Sequence, residues 1–226
     1  MGLYLYCLVS AAARPPAALV GLDDAPVEAR AVAGLGCWVS PCPVRPEASL
    51  ERVRRHNAVV EAALAGGTTP LPLRFGQWLE SEEVLEGRLL EGRAAYLQAL
   101  QRLEGTVEFG VRVLDPAREQ PEPPPAQGGA SGTAYMAALA ARVQAERAVG
   151  ARGLEIATQL RAVLGPNLKQ ERIEALPSRH GLVSMAHLVE HRAQQEYRAA
   201  VETVRRQRPD LRFLVTGPWP PYSFGE

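Results

Sequence analysis

Lysine is almost missing from this chain. Lys169 is the single one, and every other basic residue is arginine. Charge of one sign is missing too, since 25 basic residues balance 25 acidic ones. A general nucleic-acid binder needs an uncompensated basic face, so that class is excluded. Zero net charge also removes a guard against self-association. Cysteine is scarce, with Cys7, Cys37 and Cys42 and no CxxC pair. An odd, unpaired set argues against a disulfide scaffold and for a reducing compartment. No apolar run approaches the roughly 20 residues of a membrane helix. The opening MGLYLYCLVS has no basic residue before its apolar run, so it reads as a first strand, not a signal peptide. A cytoplasmic protein without membrane contact is expected.

What is present suffices for a core. The chain has 226 residues, 46% of them hydrophobic, enough for one large or two small domains. Leu3 to Ser10 reads as a buried strand. Two short strands are expected on either side of Gly34 and Gly36. That Gly-x-Gly lacks the third glycine and following helix of a dinucleotide fingerprint. A helix follows, with Leu50, Val53, Val60 and Leu64 at helical spacing and Gly66 and Gly67 as its stop. Pro70 and Pro72 push Thr69 and Leu71 towards extended geometry, giving a short strand. Ser81 then caps a second helix, with Glu82 and Glu83 favoured by its dipole, that runs to Gly105.

Val107, Phe109, Val111 and Val113 alternate with more polar residues as in a half-buried strand. Residues 116–132 are Pro-rich and predict a flexible loop. Helices are expected at about 133–149 and 151–164. A strand pair around Pro177 to Gly181, a helix closed by Pro209 and a last strand over Leu211 to Gly217 complete the order. The fold class is therefore α+β. An N-terminal α+β domain occupies 1–105, and 106–216 follows the βαββαβ plan of a modified ferredoxin-like domain with inserted helices. Residues 217–226 form an aromatic, proline-rich tail.

Candidate chemistry is thin. His187 to His191 spells HLVEH, which matches the inverted zincin pattern H-x-x-E-H. That chemistry needs both rings on one helical face. His187 lies in an alternating apolar run that predicts a strand, with helix starting only near Glu190, so the match reads as chance. His56 with Arg74, Glu82 and Glu83 reads better as a polar helix residue and structural ion pairs than as an acid/base cluster. Cys37 and Cys42 lack any nucleophile signature, and Cys7 reads as core. The arginine runs at Arg52, Arg54, Arg55 and Arg205, Arg206, Arg208 read as solvated faces. No catalytic residue, cofactor or metal ligand is predicted.

Three stretches carry more information. They are the opening LYLYCLVS, the segment HNAVVEAAL with TTPLPLRFGQWLESEEVL, and the terminal GPWPPYSF. Together, in order and across most of the chain, they resemble the gas-vesicle accessory family GvpF/GvpL. The resemblance implies a non-enzymatic cytoplasmic protein associated with gas vesicles, contacting the apolar shell protein GvpA and other accessory proteins. It also implies two α+β domains, the second modified ferredoxin-like, with the tail packing back on the first. Leu73, Arg74, Phe75, Trp219, Tyr222 and Phe224 are then the residues expected to bind a partner or clamp the domains. Three buried tail aromatics would be the clamp, with Arg74 stacking on Trp219 or binding a tail carbonyl. A ligand-sensing regulatory module, and a zinc hydrolase through His187 and His191, stand as alternatives.

Overall fold

A computed structural model describes residues 1–117, 132–175 and 181–225. The Pro-rich stretch from 118 to 131 and the turn at Pro177 lie outside the described residues. Within them the fold is mixed α/β, with two antiparallel sheets and five α-helices. The chain divides into two compact units, Met1–Glu108 with Gly217–Glu226, and Phe109–Thr216.

The first unit is built around β1 (Leu3–Ser10). A hairpin of β2 (Glu28–Val32) and β3 (Leu35–Pro41) pairs with it on one side. The two-residue strands β4 (Leu71–Pro72) and β5 (Trp78–Leu79) pair on the other, giving the order β2-β3-β1-β4 with β5 also on β1. A central strand is covered on both faces, which is why LYLYCLV is continuously apolar instead of alternating. Ala33 and Gly34 turn the hairpin at φ 49° and 86°, the left-handed pair that a two-residue turn requires. Gly36 is not part of the turn. It sits inside β3, where a Cβ would meet the Ser10 carbonyl.

Helix α1 (Leu50–Ala65) starts at Ser49, whose hydroxyl accepts from the Arg52 N–H at 3.2 Å. Its buried stripe is His56, Val59, Val60 and Ala63, whereas Leu50 is exposed. The expected stripe of Leu50, Val53, Val60 and Leu64 is thus rotated, because it left out the buried polar residue His56. The single helix expected over 81–105 is two helices, α2 (Glu82–Glu91) and α3 (Arg93–Leu103). Gly92 breaks it, capping α2 through its N–H to the Arg88 carbonyl.

The second unit carries a four-stranded sheet in the order β7-β8-β6-β9. Its strands are β6 (Thr106–Leu114), β7 (Gln170–Ala175), β8 (Gly181–Glu190) and β9 (Arg212–Trp219). The first three residues of β6 and the last three of β9 are counted with the first unit. The two helices expected after β6 are one, α4 (Gly132–Leu164). Gly150 does not interrupt it, since an isolated glycine weakens a helix by only about 1 kcal/mol. Gly153 brings α4 close to the sheet, because a Cβ there would meet the Leu182 carbonyl. Helix α5 (Gln194–Gln207) follows a short 3-10 turn at His191–Ala193 and buries Tyr197, Val201 and Val204.

Candidate functional site

A network of buried polar side chains in the first unit grows from a fault in β1. Its register with β3 passes from Leu5 opposite Val39 to Cys7 opposite Trp38, so Tyr6 is one residue too many. Such a bulge re-aims side chains. Here Tyr6 and Cys7 join Tyr4 and Val9 in one cluster against Val59, Val60 and Ala63 of α1.

Both tyrosine hydroxyls are buried and both are satisfied. Tyr6 Oη accepts from the Leu22 N–H at 2.8 Å and donates to Ser40 Oγ at 3.1 Å. Ser40 Oγ in turn donates to the Pro26 carbonyl at 2.8 Å. Tyr4 Oη accepts from the Gly76 N–H at 2.9 Å and lies 3.0 Å from His56 Nδ1. His56 Nε2 is 2.9 Å from the Leu73 carbonyl. A carbonyl only accepts, so Nε2 carries the ring proton and Nδ1 accepts from Tyr4. The neutral imidazole fits every partner, and burial holds the His56 pKa below its ordinary value. Burial likewise pushes the Tyr4 and Tyr6 hydroxyls up.

This network fixes the loop that the sequence singled out. His56 and Tyr4 grip the backbone at Leu73 and Gly76, the two ends of LRFG. Phe75 fills the space between, its ring 5.8 Å from Tyr4 and 5.9 Å from His56. Gly76 stands at φ 100°, which only glycine adopts readily. Leu73 and Phe75 are half-buried, and Arg74 is exposed.

The tail lies within the same unit. Phe224 is fully buried, and Gly225 sits close to Leu71 and Pro72 of β4. Tyr222 Oη donates to Asn57 Oδ1 at 3.1 Å, and burial raises its pKa. Ser223 donates twice to the Glu108 carboxylate, from N–H and from Oγ, each at 2.7 Å. Arg102 donates to the Phe224 carbonyl at 2.7 Å. Three buried tail aromatics were expected. The structure buries Phe224, half-buries Tyr222 and leaves Trp219 41% exposed. Asn57, Arg102 and Glu108 as receptors of the tail escaped the sequence reading. A carboxylate within an apolar strand, Glu108 between Val107 and Phe109, was the available signal.

Other sequence candidates come apart. Glu82 pairs with Arg30 at 2.9 Å, while His56 is engaged with Tyr4 and Leu73, so the acid/base cluster is not assembled. All three cysteines are free and buried, and burial raises their pKa values, that of Cys37 to about 12. A thiol held that high supplies no thiolate at neutral pH. His187 is buried in β8 and His191 is exposed in the 3-10 turn, so HLVEH does not form one helical face. Among the described residues no group of three His, Cys, Asp or Glu is placed to hold a metal ion.

Comparison with known proteins points one way. The family described as gas vesicle synthesis protein GvpL/GvpF matches residues 2–226. Gas vesicle protein F of Haloferax mediterranei is 29% identical over 186 residues, covering 79% of this chain and 71% of that protein. Gas vesicle protein L of a Streptomyces species is 31% identical over 189 residues, covering 77% and 68%. The crystal structure of GvpF from an Anabaena species shares the fold at a TM-score of 0.81 and 21% identity, covering 100% of this chain and 98% of that one. The crystal structure of GvpF from Microcystis aeruginosa does so at 0.78 and 20%, covering 100% and 99%.

Proposed function

The chain belongs to the gas vesicle synthesis protein GvpL/GvpF family, and from that premise we propose that it is a cytoplasmic accessory protein that binds the shell protein GvpA and limits its aggregation while vesicles nucleate. A shell subunit buries its apolar face only on assembly and is an aggregation hazard before then. A partner that covers that face transiently and hands it over removes the hazard. Other gas vesicle accessory proteins are partners in the same process. No helix among the described residues is long and apolar enough to cross a membrane.

The observation that carries this reading is the split within the tail. Phe224 and Ser223 anchor it, yet Trp219 on the same tail stays 41% exposed. A tryptophan held at a fixed place on the surface is an aromatic anchor of the kind that dominates protein interfaces. Trp219 is then the contact residue, and Leu73, Phe75, Tyr222 and Phe224 hold the surface that presents it, with Arg74 at its exposed rim. The second unit, with helices after β6 and β8 and the strand order β7-β8-β6-β9, we take as a modified ferredoxin-like domain. Its terminal strand β9 offers an edge for β-augmentation by an extended segment of the partner.

Co-expression with a gas-vesicle shell protein, followed by capture through this chain, tests the reading. The native chain retains the shell protein and Trp219→Ala, folded, loses most of it. A Val215→Pro change in β9 that leaves capture intact removes the strand-edge mode. Absence of capture by the native chain overturns the proposal.

A further inference from the structure

His187, a decoy as a zinc ligand, belongs to a different arrangement. It is fully buried on β8 and stands directly opposite Glu171 of β7 in the strand register. His187 Nδ1 is 2.7 Å from the Tyr197 hydroxyl on α5. His187 Nε2 is 3.3 Å from Glu171 Oε1, yet neither atom has an aligned hydrogen-bond partner. The other carboxylate oxygen, Oε2, is taken by the Arg161 guanidinium from α4, whose Nε is 2.8 Å away. The Tyr197 ring stacks on Phe109 of β6 at 4.7 Å, and the Arg198 guanidinium lies 4.8 Å over the Phe109 ring. Glu171, Arg161 and Tyr197 are thus the titratable and charged groups facing this imidazole from β7, α4 and α5, among the described residues, while Arg198 lies over the Phe109 ring.

The proton inventory makes the arrangement sensitive to a second proton on the ring. In the neutral ring Nδ1 accepts from Tyr197, and the Nε2 proton faces Glu171 without closing a good bond. A second proton on the ring turns Nδ1 into a donor. Two hydrogens then compete for the 2.7 Å gap to Tyr197. The tyrosine must turn its proton away, and among the described residues its hydroxyl has no other partner. An orphaned buried donor is costly. Attraction to Glu171 offsets part of this, but Arg161 already occupies that carboxylate.

We propose that the Glu171–His187–Tyr197 chain is an acid-sensitive latch, holding α5 on the sheet at neutral pH and loosening it when His187 becomes charged. Burial, joined by the positive charge of Arg161, lowers the His187 pKa more than Glu171 raises it, which is the sign the latch requires. Opening frees the imidazole to titrate near its ordinary value of about 6.5. The α5 opening equilibrium is then flat above that pH. Below it the equilibrium rises by up to about tenfold per pH unit until the closed state also takes up the proton.

Amide hydrogen exchange of the full chain between pH 7.5 and 5.0, corrected for intrinsic exchange rates, reads this directly at Tyr197, Val201 and Val204. The native chain shows the rise, and His187→Gln is flat. Unchanged α5 protection across the range in the native chain, or an equal slope in His187→Gln, overturns the latch. If His187→Gln does not fold, Tyr197→Phe, which keeps the ring stack, serves instead. It gives a shallower slope and a His187 resonance titrating closer to its ordinary value. An unchanged slope and titration in Tyr197→Phe contradict the proposal.

Discussion

Replacing Phe224 by alanine tests whether the tail is anchored by one residue or glued along its length. The side chain is fully buried, and the residue closes the tail's short 3-10 turn at Tyr222–Phe224. Truncating a buried phenylalanine costs about 3–5 kcal/mol, combining lost transfer energy and the cavity left behind. In a chain of this length each kcal/mol lowers the melting temperature by about 2–4 °C. The expected fall is therefore about 6–20 °C. Trp219→Ala is the internal control, because that ring is 41% exposed and gives up far less on removal. Its expected cost is about 1–2 kcal/mol, the share of a large apolar side chain's burial energy that a partly exposed ring retains. Differential scanning fluorimetry of the two variants side by side separates the cases. Equal falls in the two variants would refute the division of the tail into anchor and contact residue, as would no fall in Phe224→Ala.

Three further outcomes follow from the same geometry. Tyr4→Phe leaves the Gly76 N–H and His56 Nδ1 without their partner and destabilises by about 1–3 kcal/mol, measured by urea unfolding. Gly76→Ala meets no steric obstacle but must hold φ at 100°, and loses about 1–2 kcal/mol in the same assay. His56 and His187 both have pKa values lowered by burial, so the unfolded chain binds more protons than the folded one below about pH 6.5. Stability is at its plateau above that pH and is lost as pH falls through the folded values; a urea midpoint that does not fall between pH 7 and 5 contradicts both assignments.

The sequence made the strands and the motif-bearing loop legible, because their signals are local. Leu3 to Ser10 is apolar at every position but the last, and prolines frame Leu71. Helix boundaries were less legible. Gly92 ends a helix while Gly150 does not, and the difference lies in what surrounds each glycine, not in the residue. The polar network was hidden for a related reason. His56 read only as a polar helix residue because its partners stand 52 positions away at Tyr4 and 17 away at Leu73. The bulge that brings Tyr6 and Cys7 to one face is a register event between β1 and β3, which neither strand announces alone. The tail's apolar character was plain, but which of its aromatics is buried depends on receptors at Asn57, Arg102 and Glu108.

The most direct measurement is light scattering of a shell protein diluted from denaturant, with and without this chain. The account predicts that the native chain holds scattering down in proportion to its concentration and that Trp219→Ala, folded at the temperature of the assay, does so poorly. Scattering unaffected by the native chain, or suppressed equally by the variant, would contradict it.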